Sequence, residues 1–436
     1  MTMNVDDAWN ELFKKYNILA EINKNGFFKI SADQIREYKE PRLMAKWDSS
    51  EKLPKPFSKY SINILPISRG EYILGKFKLY SPIPELGEKE TEMQKVEVPH
   101  YETIDIENIT SEANAINVLM ISKILDDFLG EDSNVATFNG RMGTGKFSFW
   151  VDTSAQPLNI DVKNAQCEID AGMENINSVV ILEAKNVIHP DFHIRQLYYP
   201  YRLWETKVTK PIRLVFSIYY NQIFRLFEYA FKEKDNYSSI YLVREKNYSL
   251  QDTNISMEDL YQTFKKTEVL YNDQKSRSVP FIQANSFERV ISLLEIINRK
   301  ARTSKEIADI MEFDIRQSGY YYNAGKYLNL FEKDWEKNTD KDGKIRKEKK
   351  VFLTDIGKTL IKMKYKERQL TLVKLILQHK IFNVLFKETY DTGKLPTAER
   401  IKSLMVELDV CNKGQIQRRS SSVYSWLRWI IYLTKI

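Results

Sequence analysis

The chain has 436 residues, 43% of them hydrophobic and 12% aromatic, with a net charge of +7. That composition excludes a disordered chain and supports a sizeable core spread over two or three domains. Two cysteines far apart, Cys167 and Cys411, exclude a disulfide framework or cysteine-rich zinc site and fit a reducing cytoplasm; no apolar run approaches the ~18 residues of a membrane span, and the N-terminus lacks a signal peptide's apolar stretch.

In chain order, Asp7–Tyr16 and Ser31–Glu37 read as amphipathic helices, and 61–80 reads as two strands around Arg69-Gly70. Nothing in the first 100 residues points to chemistry; Arg42, Arg69 and Lys76 read as solvated surface charge. Residues 110–130 predict one helix, capped by Thr110 or Ser111. Alternation then predicts strands over 147–151 and 159–170, and the apolar run 179–185 predicts a further strand. A helix interrupted by Pro200 is expected over 191–207, and two strands turning at Asn221-Gln222 over 212–231. Residues 252–282 read as a linker containing one helix, and from Ser286 the chain is mostly helical, with one charged hairpin between Lys333 and Lys350. Helix, strands, helix, strand is the order of an α+β (mixed α/β) domain.

Charge is divided unevenly. From Ser276 to Ile436 there are 32 Lys and Arg against 19 Asp and Glu; the preceding part holds 34 against 40. A basic C-terminal part is suited to a phosphate backbone.

The chemistry concentrates in EIDAGMENINSVVILEAKN (168–186). Asp170 ends one strand, a short turn follows, and the apolar strand delivers Glu183-Ala184-Lys185. Residues i and i+2 of a strand share a face, so Glu183 and Lys185 point the same way. Two carboxylates and a lysine on neighbouring strands are the parts that phosphodiester hydrolysis needs: oxygen ligands for Mg²⁺ and a group to orient the attacking water. Glu-x-Lys occurs four times, at Glu37, Glu183, Glu205 and Glu348, so the spacing alone selects none of them. Only the Glu183 copy closes a buried-type strand with an acidic strand end just upstream; the competing reading is an edge strand whose charged end emerges into solvent.

These residues resemble the PD-(D/E)xK nuclease superfamily, and within it the type II restriction endonucleases, over roughly 105–250. The resemblance extends to Glu112 at the start of the long helix and to RQLYYPYRLW (195–204) after the motif strand. It implies that Asp170 and Glu183 bind Mg²⁺, that Lys185 orients or helps deprotonate the attacking water, and that Glu112 is an accessory ligand. Ile169 stands where the motif name has proline, and Glu168, on the same face as Asp170, competes with it for the first metal-ligand role. Gln196 reads as helix surface or as a contact to the site or to the DNA backbone.

Two patterns mislead. GRMGTGK (140–146) nearly matches a P-loop, but Phe147 replaces the Mg²⁺-holding Ser/Thr and a strand follows where a helix is required, so a glycine-rich hairpin is expected and no nucleotide cofactor. His189 and His193 have a zinc-like spacing without HExxH or cysteine partners.

Residues 286–354 have the order helix, helix-turn-helix, hairpin of a winged helix, whose third helix enters the major groove. Arg316, Gln317, Tyr320 and Asn323 are the candidate base readers, with Lys326 and the wing lysines on phosphates and with Ala324 and Leu328 facing the core. Residues 395–433 look like a second helix-turn-helix, with Arg418, Arg419 and Ser421 facing outward. The expected division is an N-terminal accessory region (1–100), a PD-(D/E)xK-like nuclease domain (101–275), a winged-helix domain (276–365) and a helical C-terminal region (366–436). The expected protein is a cytoplasmic prokaryotic type II restriction endonuclease that uses Mg²⁺ and acts on double-stranded DNA. It would form a homodimer on that DNA and share its system with a cognate DNA methyltransferase. A non-catalytic winged-helix regulator and a structure-specific repair nuclease are the alternatives.

Overall fold

The structure, a computed structural model, describes residues 3–85, 93–98, 100–106, 109, 111–274, 279–339 and 345–436. It is a mixed α+β protein divided into two compact units. The first comprises Met1–Pro84, Tyr101–Ile218 and Arg225–Lys246; the second comprises Glu85–His100, Tyr219–Phe224 and Asn247–Ile436. Among the described residues no helix is long and apolar enough to cross a membrane.

In the first unit, helices Val5–Lys15 and Ile18–Asn25 precede β1 (Phe27–Ser31), and helix Ala32–Arg36 follows it. β2 (Asn63–Pro66) and β3 (Glu71–Gly75) complete a small antiparallel sheet in the order β1-β3-β2. Trp9, Trp47 and Phe57 form its aromatic centre, with Phe57 edge-on to Trp9 at 4.7 Å and to Trp47 at 5.1 Å. β4 (Tyr80–Pro82) leaves this sheet, and β5 (Met93–Lys95) belongs to the second unit.

The expected helix over 110–130 is two helices, Glu112–Ile121 and Ile124–Leu129, because Lys123 takes a left-handed conformation (φ 55°) that breaks the hydrogen-bond ladder. Ser111 caps the first, its Oγ accepting from the Asn114 N–H at 3.1 Å; Thr110, the other expected cap, lies outside the described residues. β6 (Val135–Gly143) runs into β7 (Lys146–Val151) through a turn at Gly145 (φ 74°), so the P-loop-like segment is a strand-turn-strand with no helix N-terminus at Lys146. The single strand expected over 159–170 is likewise two, β8 (Leu158–Lys163) and β9 (Gln166–Glu174), separated at Asn164 (φ 60°). β10 (Val179–Lys185) is the expected apolar strand. The region 191–207 begins with a short strand, β11 (Asp191–His193), before helix Arg195–Trp204. β12 (Ile212–Tyr220) and β13 (Ile223–Phe231) turn at Asn221 (φ 49°) and Gln222 (φ 63°), and β14 (Ile240–Ser249) follows.

Within the first unit the main sheet runs β14-β13-β12-β10-β9-β6. β10 is an interior strand, parallel to β12 and antiparallel to β9, and six of its seven residues are buried. Helices Glu112–Ile121 and Arg195–Trp204 both pack on β10, which explains why it reads as a continuous apolar run and not as an alternating one.

In the second unit, helices Phe287–Arg299, Ser304–Ile310 and Ile315–Tyr327 precede an antiparallel ribbon of β15 (Phe331–Thr339) and β16 (Ile345–Leu353); residues 340–344 of the expected hairpin lie outside the described residues. Thr303 forms a capping box with Glu306 at the start of the middle helix. Ala324 and Leu328 are buried, and so are Trp426, Trp429, Ile430 and Leu433 of the last helix and its end. Five helices close the chain, from Asp355–Ile361 to Lys413–Tyr432.

Candidate functional site

The site is built where β9 and β10 part. Their antiparallel register ends at Leu182 opposite Ala171. Beyond it, the Asp170 side chain takes over the pairing: its Oδ2 accepts the Ala184 N–H at 3.0 Å. Glu183 is 6% exposed. Its Oε1 accepts from Lys185 Nζ at 2.7 Å and from Gln196 Nε2. Gln196 is therefore part of the site and not merely helix surface, and its own Oε1 is buried without a partner. Glu112, at the start of its helix, lies close enough for its charge to act on Lys185.

Glu168 and Asp170 have different environments. Glu168 is exposed and ion-paired, 3.4 Å from Arg141 Nε and 3.7 Å from Lys46 Nζ; Asp170 is half-buried and bonded to the motif strand.

One residue that the sequence reading passed over joins these. Asp48 lies in the segment linking helix Pro41–Met44 to the short helical turn Ser50–Lys52. Its neighbours are clamped onto β11: Ser49 Oγ and the Ser50 N–H both donate to Asp191 Oδ1 at 2.9 Å, and the Asp48 carbonyl accepts the His193 N–H at 2.9 Å. Trp47 anchors the segment in the aromatic core. Asp48 Oδ1 is buried without a hydrogen-bond partner. Nothing in the local sequence marks Asp48, because its position depends on packing against residues more than a hundred positions away.

The electrostatics follow from gathering four carboxylates, one buried and three half-buried, around one ammonium. Burial pushes Glu183 up to about 8; Lys185 opposes this and Asp170 adds to it. Burial also raises Glu112, against the pull of Lys185. For Lys185, burial works against the charged form, but Glu183, Asp48, Glu112 and Asp170 together prevail and hold it protonated. Asp48 would be raised by burial, yet Lys185, Lys46 and Arg195 hold it below the usual carboxylate range. His193 of the zinc-like pair is buried, sits 3.2 Å from the Tyr237 hydroxyl, and is pushed down to about 3 by burial and then Arg195. Among the described residues, no three His, Cys, Asp or Glu side chains are grouped closely enough to hold a metal ion.

In the second unit, Arg316 and Lys326 are exposed and Gln317, Tyr320 and Asn323 half-exposed, while Tyr321 and Tyr322 are buried. Arg418 joins this helix: its guanidinium lies 5.5 Å over the Tyr320 ring and donates to the Tyr320 hydroxyl at 3.4 Å. With the Gln283 amide oxygen turned toward it, Arg418 also donates to Gln283 at 3.0 and 2.8 Å. Arg419 departs from the expected outward orientation. It is half-buried, its Nη1 donates to the Phe281 carbonyl at 2.6 Å, and burial lowers its pKa. Ser421 is exposed.

Residues 6–74, 75–249 and 289–435 match three families, each described as a domain of unknown function (DUF6996, DUF6997 and DUF7226, in that order). The first match contains Asp48 and the second contains Glu112, Asp170, Glu183, Lys185 and Gln196. No curated protein and no solved structure matches the chain.

Proposed function

We propose that this protein is a Mg²⁺-dependent, sequence-specific endonuclease that hydrolyses double-stranded DNA, with a PD-(D/E)xK-type core in its first unit and a winged-helix reader in its second. The observation that carries this reading is the convergence of Asp170, Glu183 and Lys185 at the parting of β9 and β10, with Gln196 bonded to the same Glu183 oxygen. The donor set fits the cation by kind: carboxylate oxygens are the hard ligands that Mg²⁺ takes. Asp170 and Glu183 would hold it, with Glu112 or Asp48 beside them. Bound there, a divalent cation would supply positive charge to the scissile phosphate and the leaving oxygen.

The chain's own residues then have distinct tasks. Lys185, kept protonated by its carboxylate neighbours, is an orienting cation and not the base that removes the water's proton. Gln196 fixes the Glu183 carboxyl through Oε1. Arg316, Gln317, Tyr320, Asn323 and Arg418 are the residues offered to base edges, and Lys326 is offered to phosphate. Restriction of foreign DNA in a prokaryotic cytoplasm, by a homodimer on its site and beside a cognate methyltransferase, is the biological setting that fits such a cutter.

The alternative, a DNA-binding regulator without activity, is favoured by the absence among the described residues of a close trio of metal ligands. Incubation with unmodified plasmid and phage DNA and Mg²⁺ separates the two. Discrete fragments that disappear with Lys185→Ala or with EDTA support the nuclease. Salt-sensitive duplex binding with no cleavage of modified or unmodified DNA supports the regulator.

A further inference from the structure

The ribbon β15–β16 separates its charges by face. Directly opposed residues of an antiparallel pair share a face, and the register sets Trp335 opposite Lys349, Lys337 opposite Lys347 and Lys333 opposite Val351. One face therefore carries Lys333, Trp335, Lys337, Lys347 and Lys349, with no acidic residue among them. The other carries Glu332, Asp334, Glu336 and Glu348 around Lys350, whose Nζ is 2.5 Å from Glu336. Stability does not call for this arrangement. Like charges set directly opposite each other, as Lys337 and Lys347 are, weaken a ribbon. Among the described residues none of Lys326, Lys337, Lys347 and Lys349 forms an ion pair.

Trp335 stands in the middle of this face and is 60% exposed. Among the described residues its ring meets no other aromatic ring. The patch is nevertheless anchored: Lys333 lies 4.1 Å from the centroid of the Tyr322 ring, and burial and the charges of Lys349 and Lys326 lower its pKa. Lys326, at the end of helix Ile315–Tyr327, thus belongs to the same positive field as the ribbon.

An exposed indole framed by uncompensated ammonium groups meets two requirements at once. The lysines call for a polyanion, and the indole calls for a flat π-surface. A polyanion that carries flat π-surfaces is a nucleic-acid strand, and its base faces are open only where the base is unpaired. We propose that the Lys333–Trp335–Lys337 face of the ribbon is a single-strand site, where Trp335 stacks on an unpaired DNA base and Lys337, Lys347 and Lys349 hold the flanking phosphates. This rests on the DNA-binding part of the function proposed above and adds a substrate state to it: DNA locally opened, or carrying an unpaired base, in contact with the ribbon.

Binding of the full-length protein to three fluorescent probes in EDTA tests it: a single-stranded oligonucleotide, the same strand with abasic positions, and a duplex with or without one unpaired base. Trp335→Ala is expected to weaken binding to the single strand roughly 5- to 100-fold while leaving the abasic strand unchanged, and Trp335→Phe to restore most of the loss. Each of Lys347→Ala and Lys349→Ala should weaken both single-stranded probes, with or without bases, and lower their salt slope by about 0.7. Equal binding of the base-carrying and abasic strands, or no effect of Trp335→Ala, overturns the stacking site while leaving duplex binding by the helices intact. Failure of all the DNA probes to bind overturns the DNA reading itself. A greater affinity for the duplex with an unpaired base than for the perfect duplex, lost in Trp335→Ala, supports the site within opened duplex.

Discussion

At the scale of single residues, the site is a balance between burial and charge. Glu183 has its pKa raised from 4.5 to about 8, so in the metal-free fold it stays protonated where the unfolded chain ionises. The folded state thus binds more protons between those values, and this group's contribution to stability is lost as pH rises through about 8. Thermal midpoints in EDTA should therefore fall as pH is raised from about 5 to 8, and Glu183→Gln should flatten that fall; an unchanged pH slope in the variant would refute the burial argument. Asp48 has the opposite sign. Its pKa is depressed, so its contribution is present at pH 7 and lost as pH falls below the ordinary carboxylate range. Asp48→Asn leaves Lys185 short of one compensating charge and should cost roughly 1–3 kcal/mol at pH 7 by denaturant titration, with wild type and variant converging as pH falls below the ordinary carboxylate range. In the cleavage assay, Lys185→Ala should reduce the single-turnover rate by about 10²- to 10³-fold while leaving DNA affinity in EDTA near that of wild type.

At the scale of elements, the close approach of β6 to β9 sets the geometry in which Asp170 reaches the motif strand. Gly172 lies opposite both Phe138 and Ile181, and a Cβ there would sit 2.1 Å from the Phe138 ring. That ring in turn stacks on Trp204 at 3.9 Å, at the end of the helix that carries Gln196. Gly172→Ala must push Phe138 aside. It should destabilise the first unit by about 1–3 kcal/mol, seen as a lower thermal midpoint, and should loosen the contact of Gln196 with Glu183. A midpoint equal to wild type would mean that the ring moves freely.

At the scale of the whole molecule, charge is divided unevenly: the net positive charge lies after residue 275, where the exposed Arg316, Lys326 and Arg418 of the proposed DNA reader also lie. Affinity for duplex DNA should fall steeply with salt, because neutralised phosphates release their counterions. Lys326→Ala should weaken binding to all sequences alike and reduce the salt slope by about 0.9. Arg316→Ala should instead cost about 1–3 kcal/mol on the preferred site and relax the preference at one base pair, measured by binding selection from a random library. Equal losses on all sequences for both variants would reduce helix Ile315–Tyr327 to a phosphate contact.

The features that depend on short-range periodicity were legible in the amino-acid order. VVILEAK was legible as a strand, because an apolar run of that length bounded by polar turns suits one, whereas its coverage on both faces, against the edge-strand alternative, was decided by packing. The turn at Asn221-Gln222, the cap at Ser111 and the three helices followed by a ribbon were legible for the same reason: caps, turns and hydrophobic stripes are local physics. The breaks at Lys123 and Asn164 were not, because single non-glycine residues in left-handed conformation carry no compositional mark. Which charged groups meet was set by long-range packing. Packing of Trp47 and the hydrogen bonds of Ser49 and Ser50 to Asp191 bring Asp48 within reach of Lys185's charge; Glu168 is drawn to the surface by Arg141 and Lys46; Arg419 is turned inward by the Phe281 carbonyl. These outcomes depend on long-range contacts whose energies are comparable to the cost of burying the charges involved, and a pattern of neighbouring residues does not encode that balance.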